Sequence, residues 1–177
     1  MSQHEPWLHI IPLGGVGEIG MNMTLLETAE DILVIDAGLM FPEEEMLGID
    51  LVLPDVTYLL ERREKVRGIL LTHGHEDHTG GLPYVLPRLP VPVFGTSLSL
   101  GLVREKLQEF ALDGQADLRQ VRARERLRLG ELELEFIRVA HSIPDGVAIA
   151  VRAPAGLVVH TGDFKFDHTP VDGEATD

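Results

Sequence analysis

Thr72-His73-Gly74-His75-Glu76-Asp77-His78 decides how this chain is read. Three histidines and one aspartate fall within the six residues 73–78, directly after the short apolar run 68–71. A lone histidine is usually structural or solvated, but this group differs. The alternation of His73 and His75 aims both imidazoles to one side of an extended segment, and Asp77 and His78 fall on the next turn. Gly74 is expected to permit a tight backbone there, and Gly80-Gly81 a close approach behind it. The pattern points to metal binding by His73, His75, Asp77 and His78 at the end of a buried strand.

Outward from that cluster, short apolar runs alternate with helical spacing. Residues 8–13 read as a strand. Met23–Glu27 and Ile32–Ile35 read as a hairpin pair, joined by the polar turn 29–31. Residues 55–63 have helical spacing, with Asp55 as a cap after Pro54. Residues 80–89 suggest a helix interrupted by prolines, 91–94 a strand, and 96–110 the clearest amphipathic helix. Beyond Gly114 the pattern is β-rich, with strands expected at 118–121, 127–129, 132–139, 147–151 and 157–160. The order predicts a mixed α/β class with a sheet-on-sheet core and helices outside.

Two strand ends add donors. His141 follows the run 132–139, and Asp163 follows 157–160, so each is a candidate ligand beside the main cluster. Asp36 ends Ile32–Ile35 and admits three readings: ligand, turn cap, or the carboxylate that orients a ligating imidazole. The last is favoured, because metal-binding histidines commonly need such a partner to fix tautomer and direction.

Composition narrows the classes. The chain has 177 residues, 44% hydrophobic and 25% charged, which fits one globular domain. It contains no cysteine, which excludes disulfides and thiolate metal sites, while eight histidines leave sites of nitrogen and oxygen donors open. The first ten residues lack a basic and apolar leader, no apolar run is long enough for a bilayer, and a cytoplasmic protein is expected. A net charge of −14 argues against nucleic-acid binding by the surface as a whole, though not against a nucleic-acid substrate held at metal ions.

Several features have plainer readings. Gly15-Val16-Gly17-Glu18-Ile19-Gly20 matches a dinucleotide-binding fingerprint, but the continuation reads as a hairpin and not as the helix that motif requires. It is taken as a tight glycine loop bringing backbone close to the site. Glu43-Glu44-Glu45 reads as a solvated loop. The basic run 119–128 reads as an exposed hairpin face, Trp7 as packing, and Lys165 as a phosphate contact or a salt bridge with equal weight.

His73-x-His75-x-Asp77-His78 resembles the signature of the metallo-β-lactamase superfamily, and Asp36, His141 and Asp163 match its other motifs in order. The flanking segments resemble ribonuclease J proteins, bacterial β-CASP ribonucleases: 12–22, 41–50, Pro54-Asp55, 139–145 and Gly162-Asp163-Phe164-Lys165. The resemblance implies an αββα sandwich, incomplete in this chain. It implies two divalent ions, zinc before manganese. His73, His75 and His141 would hold one, Asp77 and His78 the other, and Asp163 would bridge them. Asp77 and His78 are the implied catalytic residues. The implied activity is metal-dependent hydrolysis of RNA, 5′-to-3′ exonucleolytic and also internal, in RNA maturation and decay.

In the family a late histidine completes the second site, and a β-CASP domain forms the RNA channel. Neither falls within these 177 residues. The turn-rich stretch 169–177 ends without a capping element, so residues 1–177 are expected to be the N-terminal part of a metallo-β-lactamase domain. Its partners would be RNA, the remainder of its own polypeptide and further copies in a homodimer or homotetramer, with no membrane. Two other readings stay open: a hydrolase of the same superfamily acting on a thioester, lactone or β-lactam, and a non-catalytic RNA-processing scaffold.

Overall fold

The computed structural model describes residues 5–170 and 172–177. The expected lack of a leader rests partly on residues 1–4, which lie outside them. Six strands form one sheet in sequence order: β1 (His9–Gly14), β2 (Met23–Glu27), β3 (Ile32–Ile35), β4 (Val66–Leu70), β5 (Val93–Gly95) and β6 (Leu118–Gln120). The pairs β1/β2 and β2/β3 are antiparallel, and β3 to β6 run parallel. A second, antiparallel sheet holds β7 (Arg126–Leu129), β8 (Leu132–Arg138), β9 (Val147–Ala153) and β10 (Gly156–His160) in the order β10-β9-β8-β7. Four helices, α1 (Thr57–Leu60), α2 (Glu76–Thr79), α3 (Leu82–Val85) and α4 (Ser97–Glu109), fall in the connections between parallel strands. Such connections must cross the sheet, and a helix is the usual crossover.

The centre of the first sheet, β3 to β5, is buried on both faces, which is why these strands read as continuous apolar runs and not as alternation. Successive side chains serve two different cores. Ile32 and Val34 of β3, with Ile69 of β4 and Val93 of β5, pack under Leu59, Leu82, Leu100 and Val103 of the helices. Leu33, Ile35, Leu70 and Phe94 face the second sheet, where Phe136, Ile149 and Val151 meet them. The second sheet is one-sided. Leu132, Leu134 and Phe136 of β8 point inward, while Glu133 between them is exposed. The packed order is therefore helices, sheet, sheet. The outer face of the second sheet carries no helix among the described residues, and no described helix is long and apolar enough to cross a membrane.

Three expectations need correction. The helix expected over 55–63 is a single turn, α1, followed by a 3-10 turn at Arg63–Lys65. The N-cap is Val56 and not the expected Asp55; Asp55, one residue earlier, accepts the Thr57 N–H on Oδ1 at 2.9 Å in the turn leading into the helix. The chain must then return at once, because Val66 already pairs with Ile32. Likewise α3 is short: Pro83 sits in its first turn, Leu86 is still helical in backbone, and Pro87 has no N–H with which to continue the hydrogen-bond ladder. The basic run 119–128 is not a hairpin. β6 pairs with β5 in the first sheet and β7 with β8 in the second, so the run carries the chain from one sheet to the other. Its arginines are paired in different directions, Arg119 to Asp117, Arg126 across the strand pair to Glu135, and Arg124 to Asp177.

Candidate metal centre

The carboxyl ends of parallel strands are where open α/β sheets bind ligands, and the site begins there. Asp36 follows β3 and Thr72-His73 follow β4. β8 and β10, both antiparallel to β9, bring His141 and Asp163 to the same edge. The two sheets are tied at this edge by the Val147 N–H, which donates to the Thr72 carbonyl at 2.8 Å.

The glycine-rich segment 15–20 forms bends with left-handed Gly15, Gly17 and Gly20, and β2 follows instead of a helix, so the dinucleotide reading is excluded. The loop delivers Asn22 to the site. Asn22 Nδ2 lies 3.1 Å from Asp77 Oδ2 and 3.1 Å from His78 Nε2, and its backbone N–H donates to the Asp77 carbonyl at 2.9 Å. Gly74 serves close approach: a Cβ there would stand 2.6 Å from Leu102 Cδ1 and 3.5 Å from Ser99 Cα of α4. Gly80 and Gly81 likewise lie against the backbones of Glu76 and Ala37, as expected.

A buried hydrogen-bond chain orients the imidazoles. Asp36, 1% exposed and with a left-handed φ of 63°, accepts the Thr72 N–H on Oδ1 and the Thr72 O–H on Oδ2, each at 2.8 Å. Oδ2 also lies 2.8 Å from His78 Nδ1, which donates to it. The Thr72 hydroxyl has given its one proton to the bond with Asp36, so His73 Nδ1, 3.0 Å away, must donate to it. Both rings are thereby held through Nδ1 with Nε2 aimed outward.

The outward nitrogens converge with the remaining donors. Ligand atoms of His73, His75 and His141 lie within 4.8 Å of one another, as do those of His73, His78 and Asp163. His73 Nε2 and His75 Nδ1 are 3.0 Å apart, so a proton or a cation must lie between them. One oxygen of Asp163 is 3.7 Å from His78 Nε2 and the other 3.7 Å from His141 Nε2. The carboxylate therefore stands between the two groups. Asp77 is in neither triad, although its Oδ2 is 3.5 Å from His78 Nε2.

Electrostatics fit the same arrangement. Burial pushes His73 down to about 3, aided by the neighbouring His78, so its nitrogen stays available as a lone pair. Burial also lowers His141, against the pull of Asp163. His78 is raised: burial lowers it, but the hydrogen bond and charge of Asp36, with Asp77 and Asp163, outweigh that. Imidazoles packed beside carboxylates form a set of nitrogen and oxygen donors suited to a borderline divalent cation.

A model of the metallo-β-lactamase superfamily matches residues 16–175. The chain belongs to the metallo-β-lactamase superfamily. It is similar to ribonuclease J of Thermus thermophilus, 49% identical over 184 residues, covering 99% of this chain and 32% of the relative. Ribonuclease J2 of Bacillus subtilis is 48% identical over 170 residues, covering 96% of this chain and 31% of its own length. The chain thus spans about a third of the length of these curated relatives. Among solved structures, a metallo-β-lactamase of Cronobacter sakazakii superposes with a TM-score of 0.54 at 18% identity, over 96% of this chain and 70% of that one, a likeness of fold alone.

Asn22 and Thr72 bond groups of this site, His160 bonds the Gly162 amide beside Asp163, and none of the three is assigned by sequence reasoning. The only sequence signal for Thr72 is adjacency to His73, and Asn22 is 55 residues from the group it bonds. Lys165 pairs with Asp167 at 2.9 Å. Trp7 stacks against His9 with ring centres 4.3 Å apart, and Glu43–Glu45 lie in an exposed turn.

Proposed function

We propose that this chain is the metallo-β-lactamase portion of a longer ribonuclease of the ribonuclease J kind, hydrolysing RNA phosphodiester bonds both from the 5′ end and internally. The observation that carries the choice of RNA is identity of nearly one residue in two along almost the whole chain to proteins of that name. The donor set supports hydrolysis. His73, His75 and His141 would hold one divalent ion; His78, with Asp77 beside it, would hold the second, and Asp163 would join the two. Zinc suits these donors, with manganese the alternative. Such ions supply charge to neutralise a phosphate and to acidify a water molecule.

The protein's own groups do the rest. Asp36 and Thr72 hold the imidazoles with their lone pairs outward, so no reorientation accompanies binding. Asp77, with its side chain 37% exposed and held by the Asn22 amide, is the group placed to orient or accept a proton at the reacting face. His78 stands against it and completes the pair of residues nearest the chemistry. Residues of the longer polypeptide would supply the RNA channel and the proton for the leaving 3′ oxygen. Assembly as a dimer or tetramer, a cytoplasmic location and a role in RNA maturation and decay belong to the same reading.

Labelled single-stranded RNA, a thioester and a β-lactam, offered to the whole polypeptide that carries this chain, test it. RNA cleavage that requires zinc or manganese and disappears in Asp77→Asn is the expected result. Turnover of the thioester or lactam with RNA intact would assign the chain to another branch of the superfamily. Metal uptake without any turnover would make it a scaffold.

A further inference from the structure

Asp163 presents a difficulty. It sits on an exposed loop, its side chain is half exposed, and among the described residues the ion-pair partners of its carboxylate are the imidazoles it faces. Something else must aim it. The segment before it is specific: His160 ends β10, and its Nδ1 accepts the Gly162 N–H at 3.2 Å. The Thr161 hydroxyl donates to the Gly162 carbonyl at 3.0 Å. Gly162 has a left-handed φ of 57°, and a Cβ on it would stand 2.9 Å from Thr72 Cβ. The turn therefore lies directly on the threonine that orients His73 and meets Asp36.

From this geometry we infer that His160 is the positioning residue for Asp163. Its Nδ1 holds the Gly162 amide and so locks the left-handed turn onto Thr72, which aims the Asp163 carboxylate between His78 and His141. The ring acts through the turn and is not a ligand. With Nδ1 accepting, its proton sits on Nε2 in the neutral form, and burial, which lowers the pKa of His160, favours that form. The inference rests on the metal-site reading only for its consequence; the turn itself exists without an ion.

Two substitutions separate this role from simple packing. In His160→Asn, an amide oxygen occupies the place of Nδ1 and can accept the same N–H. His160→Ala removes the acceptor. Exchange of the Gly162 amide, followed by NMR in the metal-free protein, should be about tenfold faster in His160→Ala and restored in His160→Asn, the scale of one lost hydrogen bond. Retention of the second manganese ion per chain on dialysis should weaken about tenfold or more in His160→Ala and recover in His160→Asn. The first ion should stay in place. Unchanged Gly162 exchange in His160→Ala, or failure of His160→Asn to restore it, overturns the inference. Should the unsubstituted chain retain no metal while Gly162 exchange follows the expected pattern, the turn-locking role stands and the metal-site reading falls.

Discussion

Asp31 and Asp36 flank the four residues of β3, and both are buried, 2% and 1% exposed. They are closed in different ways. Asp31 Oδ1 meets the Arg67 guanidinium, and its Oδ2 accepts the Glu131 N–H at 2.6 Å, in the turn between β7 and β8. A permanent cation and a backbone amide leave that carboxylate nothing to exchange, so it staples one end of the two sheets together. Asp36 at the other end of the strand has no arginine. Its partners are Thr72 and His78, groups through which it holds two imidazoles with Nε2 turned outward. The difference between a fastening and a working site here lies in the partner, not in the burial of the acid.

The largest test of this contrast is Asp36→Ala. It removes three hydrogen bonds, strands the buried Thr72 amide and His78, and places alanine at a left-handed φ. A loss of about 3–5 kcal/mol in urea unfolding is expected, together with a 10- to 100-fold weaker hold on divalent metal. Asp36→Asn tolerates the same φ and should fall between. Next comes Asp31→Ala. Its partner Arg67 is 37% exposed and recovers water, so a loss of about 2 kcal/mol is expected, with metal retention on dialysis unchanged. Equal loss of metal in both variants would break the distinction.

pH sharpens it further, because only one end of β3 carries imidazoles. In the metal-free chain His73 is depressed to about 3 from the ordinary 6.5. The unfolded chain then binds a proton that the folded one refuses, and stability falls as pH drops from 6.5 toward 3, by up to about 1.4 kcal/mol per unit. His78 is raised and acts in the opposite sense: its contribution is complete below 6.5 and is lost as pH rises through its folded value. Asp36→Asn should remove the His78 contribution and steepen the acid side of the unfolding profile. Asp31→Ala should lower the whole profile without changing its shape near the ordinary histidine value of 6.5.

How far the sequence carries is visible in the same two residues. Asp36 is legible because a histidine cluster elsewhere demands a carboxylate at a strand end. Asp31 carries the same local signal, an acid beside an apolar run, yet its partners lie 36 and 100 residues away, and nothing local marks them. The strands themselves are readable because side-chain alternation and apolar runs are local properties. Pairing is not, and for that reason 119–128 looks like a hairpin although its two strands belong to different sheets. The histidines at 73, 75 and 78 stand out by density alone. Asn22 has no such density, and its place beside Asp77 follows from the path of the glycine loop.

The smallest effect on stability is expected from Asp163→Ala, and it bears on the two halves of the site. The groups from the first sheet, His73 and His78, are buried and held by Asp36 and Thr72 without any ion. Those from the second sheet come from loops, with the His141 side chain 18% and the Asp163 side chain 50% exposed. A half-exposed carboxylate 3.7 Å from its imidazole neighbours is screened by water and contributes little to folding, so unfolding should shift by no more than about 0.5 kcal/mol. Its carboxylate nonetheless stands between the two donor groups, 3.7 Å from His78 on one side and from His141 on the other. Metal retained per chain after dialysis should therefore drop from two ions toward one while the urea midpoint stays in place. A midpoint shift comparable to that of Asp31→Ala would mean that Asp163 is part of the framework, and that the second sheet's half of the site is as preorganised as the first.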